Sequence, residues 1–203
     1  MSLAGIEPRL CTLAAGSHVA HLYYTSSADP LAWNEFREVG PLGFRWDHHL
    51  PAAASEPTAM PRAVYYAAPN AITCLADVFH ATRRIDRVHQ APWLVIFKTL
   101  RSIQLLDLSG DHASTVGASP AIHAAHRGTV RGWARDLYEA HPAMEGILYS
   151  VPSHAMAPAF AFNERTLREP WFPPHPEFHR SLADDLLLDP LKHAALTLGY
   201  ALR

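Results

Sequence analysis

Arg45 stands between two aromatic residues, Phe44 and Trp46, and is followed along the chain by a tyrosine pair, Tyr65 and Tyr66, and then by an acid, Asp77. A guanidinium meets the paired oxygens of a phosphate through two parallel hydrogen bonds, which an ammonium cannot do. A tyrosine offers a ring that stacks and a hydroxyl that makes a fixed hydrogen bond. Together these residue types are the parts of a pocket for a phosphorylated, ribose-containing ligand.

The elements that must position them follow from local patterning. Residues 63–68 read as a strand, with Pro61 before and Pro69-Asn70 after as breakers. Asn70 suits a helix N-cap, because its side chain can accept from free N–H groups of the first turn. Over residues 70–84, Ile72, Leu75, Ala76 and Phe79 recur at helical spacing, while Thr73, Asp77 and His80 share another face. Asp77 is thereby expected over the end of the tyrosine strand. Tyr65 and Tyr66 alternate across that strand, so one of them is core and the other is available to a ligand.

Elsewhere, residues 18–25 alternate as a first strand, residues 29–40 carry turn signals with room for a short helix, and residues 51–61 read as an inserted loop at a pocket rim. Strands are expected at 93–98 and 103–108 as a hairpin or close meander, and helices at 119–126 and 129–141. In the second of these helices Val130, Trp133, Ala134, Leu137 and Tyr138 form the inner stripe. Residues 170–176, rich in proline, read as a stiff surface segment. Asp189-Pro190 opens a last helix, since proline is tolerated in a first turn.

Composition bounds the class. With 203 residues, 49% hydrophobic and 18% charged, the chain buries one sizeable core and is not a disordered protein. A net charge of -2 leaves no electrostatic footprint for direct nucleic-acid binding. Cys11 and Cys74 are too few for a disulfide framework or a cysteine metal site. No stretch is long and apolar enough to span a bilayer, and residues 1–17 lack the basic start of a secretory signal, so a cytoplasmic location is expected. The 14 histidines include His48-His49, His123 and His126, but none falls in a motif such as HExxH. No metal is assigned, and His48-His49 are placed at the pocket mouth or the surface.

The order of blocks resembles the RES domain family. Gly43-Phe44-Arg45-Trp46 is similar to its glycine-arginine-tryptophan segment, and Val64 to Phe79 to its strand and following helix. Pro92-Trp93-Leu94-Val95, Leu105-Leu106-Asp107-Leu108, Gly146-Ile147-Leu148-Tyr149 and residues 158–165 are similar to its later strands. The resemblance implies a single α+β domain over residues 18–203 behind an N-terminal extension, 1–17, with an ADP-ribosyltransferase-like split sheet flanked by helices. It also implies an NAD-degrading toxin neutralised by a helix-turn-helix, Xre-like antitoxin, with NAD as substrate and no metal.

What the resemblance implies for the residues is specific. Breaking the nicotinamide–ribose bond, by hydrolysis or phosphorolysis, puts positive charge on the ribose, and Asp77 would stabilise it as carboxylates do in glycosidases. Arg45 would hold the pyrophosphate. Tyr66, or Tyr65 in a shifted register, would stack on the nicotinamide or hold the ribose edge. The chain departs from the family at three points: Asp77 stands where glutamate is usual, the expected serine falls on Val151 with Ser150 and Ser153 as neighbours that could substitute, and His21 stands where an arginine is often found. The alternative expectation is a catalytically degenerate relative that binds a nucleotide or a protein.

Overall fold

Side chains leave opposite faces of a strand in turn, and in this chain that alternation sorts the interior into two cores. In β3 (Val64–Ala67), Val64 and Tyr66 pack with the helices, whereas Tyr65 and Ala67 join an aromatic core. In β8 (Ala157–Asn163), Ala159 and Ala161 face the helices and Phe160 and Phe162 the aromatic core. In β8 the rings lie on one face and the alanines on the other, which leaves room for a helix to approach on the alanine side.

The computed structural model describes residues 9–40, 42, 44–50, 61–110 and 127–203. Gly43, residues 51–60 of the expected rim loop, the expected helix 119–126, and with it His123 and His126, lie outside the described residues. The larger sheet has the order β1 (Leu10–Leu13), β6 (Ile103–Asp107), β7 (Gly146–Val151), β8, β3, all antiparallel except β6 with β7. The smaller sheet is antiparallel with the order β2 (His18–Tyr24), β5 (Pro92–Lys98), β9 (Phe178–Ser181). The two sheets meet where Ala20 and Ala68 exchange backbone hydrogen bonds of 2.7 and 2.9 Å. Helices α1 (Ala71–Phe79), α2 (Arg127–Ala140) and α3 (Leu188–Leu198) flank them, and β4 (Arg84–Ile85) pairs in parallel with β10 (Ala201–Leu202). This is a single α+β domain with a split sheet.

Three expectations are revised. The helix after Asn70 stops at Phe79: Arg83 adopts a left-handed φ of 49° and its N–H closes on the Phe79 carbonyl, freeing Arg84 and Ile85 to pair. β5 and β6 do not form a hairpin; each finds its partners in a different sheet, and residues 99–102 carry the chain between them. Residues 170–176 are not a surface strap throughout, because Trp171 is buried against Tyr65, Phe97 and Phe162. Its indole contributes too much apolar area to leave in water. Leu10–Leu13, inside the expected extension, adds an edge strand to the larger sheet.

Gly146 begins β7 where the neighbouring strand is closest. A Cβ there would lie 2.6 Å from the Ala161 carbonyl oxygen and 2.9 Å from Phe162 Cα, both backbone atoms that cannot yield without shifting β8. Gly146→Ala is expected to cost about 1–3 kcal/mol, the usual penalty of overpacking, read as a lower urea midpoint at constant slope; an unchanged midpoint would show that the strands can separate freely.

Candidate functional site

A cleft opens where α1, the end of β7 and the segment ahead of β3 converge. Each wall has a local cause. Asn70 caps α1 by accepting from Thr73 N–H at 2.9 Å. With Cys74, Leu75 and Phe79 buried, the helix turns Asp77 and His80, three residues apart and on one face, into the cleft.

Arg45, which also lines the cleft, is carried by an anchored segment. Asp47 is fully buried and forms an ion pair with Arg37; its carboxylate also accepts from Leu42 N–H at 3.0 Å and from the Tyr66 hydroxyl at 3.1 Å. The Tyr66 oxygen in turn accepts the Trp46 N–H at 3.0 Å. The Trp46 ring packs against Tyr149 with 5.7 Å between centroids. Tyr149, on β7, then donates its hydroxyl to Asp77 Oδ2 at 2.6 Å. One continuous set of contacts thus ties the segment that carries Arg45 to Asp77, and both residues line the same cleft.

The floor is the end of β7 and the 3-10 turn Pro152–His154. Ser150 Oγ accepts the Gly110 N–H at 3.1 Å, and Ser153 Oγ donates to the Ala76 carbonyl of α1 at 3.2 Å. The turn closes through two left-handed non-glycine residues, Ala155 (φ 47°) and Met156 (φ 59°), a backbone cost of the kind that gathers beside functional sites. Val151, in the slot where the serine is expected, is buried among apolar side chains and also lines the cleft.

Electrostatics sharpen the pair of walls. Burial pushes the Asp77 carboxyl above its ordinary range, and the Tyr149 hydroxyl, His80 and Arg45 oppose that rise. Burial, with the Asp77 charge beside it, holds the Tyr149 phenol well above its ordinary range, so Tyr149 is a lasting donor. Tyr66 is raised by burial and by Asp47 and is likewise a donor.

Of the expected site residues, Arg45, Asp77, Ser150 and Ser153 meet in the cleft. Tyr66 does not line it; its hydroxyl holds the segment that carries Arg45. Tyr65 lies on the other face of β3, donating to the Trp33 carbonyl at 2.8 Å within the aromatic core. His21 is there too, with its ring 4.0 Å from that of Tyr65 and Nδ1–H donated to the Tyr66 carbonyl at 2.7 Å. His48 and His49 are buried rather than at the mouth or surface: His48 Nε2–H donates to Glu164 at 3.1 Å and His49 Nε2–H to the Arg37 carbonyl at 3.3 Å. Trp46, Tyr149 and His80 line the cleft without having been singled out. The three-residue step from Asp77 to His80 was the available signal for His80, and the strand position just before Ser150 was that for Tyr149. Among the described residues, no group of three or more histidines, cysteines or acids is placed to hold a metal ion.

The fold and cleft define a split-sheet α+β domain whose polar site holds an arginine together with a half-buried acid bonded to a buried tyrosine. The RES domain model matches residues 17–189, and the chain belongs to that family. In fold it is similar to a chain of the M. tuberculosis MbcT–MbcA toxin–antitoxin complex, with a TM-score of 0.59 over 88% of this chain and 90% of that one, at 14% identity. Comparison with curated proteins gives no match.

Two buried groups contribute to the acid response of the fold. Burial lowers His21 to about 4 against its ordinary 6.5, so the unfolded chain takes up a proton that the native one refuses, and stability falls as the pH drops from 6.5 to 4. Burial works against the Glu164 charge, but hydrogen bonds from His48, the Ala63 N–H and Tyr138 outweigh it and hold the carboxyl at about 2. Its contribution is present above its ordinary 4.5 and lost as the pH falls toward 2. Melting temperatures across this range should show His21→Gln flattening the upper part of the loss and Glu164→Gln the lower; a His21→Gln profile parallel to the wild type would remove His21 from this account.

Proposed function

We propose that the protein cleaves the nicotinamide–ribose bond of NAD, by hydrolysis or phosphorolysis, as the toxin of a toxin–antitoxin pair. The observation that carries this reading is Asp77 held by Tyr149 at 2.6 Å in the cleft that Arg45 also lines. Positive charge develops on the ribose as the bond to nicotinamide breaks, and a desolvated carboxylate already fixed in place stabilises it without reorganising. Tyr149 supplies that fixation. Arg45 receives the pyrophosphate, and the Ser150 and Ser153 hydroxyls on the floor hold the ribose edge or the acceptor. Tyr66 acts from beneath, by keeping the Arg45 segment in register; Tyr65 and His21 act through the strand that carries Tyr66.

Membership of the RES family and likeness in fold to a chain of a toxin–antitoxin complex support an antitoxin partner, which we take to be of the helix-turn-helix, Xre-like type and to cover this cleft. Among the described residues no helix is long and apolar enough to cross a membrane, which agrees with action on a cytoplasmic metabolite. The second reading, a catalytically degenerate binding module, is favoured by one observation: Val151 places an apolar side chain where the family carries a serine.

Purified protein is expected to release nicotinamide from NAD, and the effect of added phosphate identifies the acceptor. Asp77→Asn should lower turnover by about 100-fold or more, the scale of removing one preorganised electrostatic group, with substrate binding largely kept. Arg45→Ala should instead raise KM by roughly 10-fold or more, as loss of a charge-assisted hydrogen bond does. Turnover that survives Asp77→Asn would leave the carboxylate without the role assigned to it, and an inactive wild type would favour the binding module.

A further inference from the structure

Ser153 is fixed by its own hydrogen. Its Oγ lies 3.2 Å from the Ala76 carbonyl oxygen, and a carbonyl oxygen only accepts, so the hydroxyl hydrogen is spent on α1. Ala76 precedes Asp77 in that helix, and Ser153 and Asp77 both line the cleft. Among the described residues no donor is bonded to the Ser153 oxygen. Close to the acid, therefore, stands a group that has lone pairs to offer and no hydrogen.

The same cleft is poor in donors for a second anion. Among the described residues Arg45 is the one arginine or lysine lining it, and the pyrophosphate is assigned to that guanidinium. Residues 51–60 and 111–126, outside the described residues, contain no arginine or lysine. The Tyr149 hydroxyl donates to Asp77 at 2.6 Å, and His80 Nδ1–H donates to the Asp77 carbonyl at 2.5 Å. Ser150 is 2% exposed and its oxygen takes the Gly110 N–H. The Trp46 indole N–H is buried, Val151 is apolar, and Pro152 has no N–H to give. A phosphate dianion brought up to Asp77 would meet a like charge and too few donors to replace its hydration. Water carries no charge and supplies its own hydrogens.

Resting on the NAD-cleaving reading above, we propose that Ser153 Oγ holds the attacking water by accepting one of its hydrogens, and that the site thereby selects water over phosphate. The bond from ribose C1′ to the nicotinamide nitrogen breaks with its electron pair going to that nitrogen. The water oxygen forms the new bond to C1′ and releases one proton to solvent. The products are nicotinamide, ADP-ribose and that proton.

The test follows nicotinamide and the ribose product from NAD in phosphate-free buffer and with phosphate added. The wild type is expected to release nicotinamide at the same rate in both, with ADP-ribose as the other product. Ser153→Ala should lower kcat by roughly 10-fold, the scale of one hydrogen bond, with KM for NAD little changed. The Ala76 carbonyl keeps the Tyr200 hydroxyl as a donor at 3.2 Å, and melting curves check that the variant folds. Ser153→Cys, whose sulfur accepts only weakly, serves as a second variant with the same expected loss. Release that depends on phosphate, or ADP-ribose 1″-phosphate among the products, would overturn the choice of water while NAD cleavage stood. An unaltered kcat in the folded variants would overturn the part given to Ser153. No nicotinamide release from the wild type would instead overturn the NAD reading, and this inference with it.

Discussion

The buried carboxylate of Asp47 is the constraint on which the site depends. An acid with no exposure to water is tolerable only when paired and fully hydrogen-bonded, and here Arg37, Leu42 N–H and Tyr66 meet that demand together. Breaking such a pair by removing one partner costs about 3–5 kcal/mol, so Leu42 and residues 44–47 have one favourable way to lie on the sheet. From that anchor the order passes through Trp46 to Tyr149 and so to Asp77. The residue that holds the pocket together is therefore not one of those that face it.

A second buried carboxylate does comparable work on the far side of the same segment. Glu164 takes hydrogen bonds from His48, Ala63 N–H and Tyr138, and Arg165 lies 3.6 Å over the Tyr138 ring while its guanidinium donates to carbonyls at the end of α2. The result ties α2 to the turn after β8 and to the start of β3. Both polar clusters sit beside apolar cores, where an unsatisfied partner would be costly, and this confines each element to one arrangement.

Local patterns made much of this fold legible in the sequence, while pairings between distant residues stayed hidden. The strand carrying Tyr65 and Tyr66, the Asn70 cap and the inner stripe of α2 all express periodicities of a few residues, and each was readable. The family match, too, follows from blocks in order. Which sheet β5 or β6 would join was not readable, because a strand of apolar residues fits either and the choice is made by partners far along the chain. The burial of Trp171 and of His48-His49 was hidden for the same reason: a proline-rich or histidine-rich stretch looks like surface until its partners, Phe97 and Phe162 in one case and Glu164 in the other, are in place. In the cleft, Arg45 and Asp77 were recognisable by type, whereas Tyr149 owes its place to a hydrogen bond across 72 positions of sequence.

The position where the family often carries an arginine holds instead a histidine kept neutral inside the aromatic core. Among the described residues Arg45 is then the one arginine lining the cleft, set against the acid Asp77. Fixed charges in such a site nearly cancel at a distance, so its field fades quickly beyond the rim. A polyanionic ligand arriving from solution would gain little from long-range attraction, and its rate of capture should depend only weakly on ionic strength. On the function proposed, recognition is accordingly a matter of contact geometry, decided after the ligand has entered.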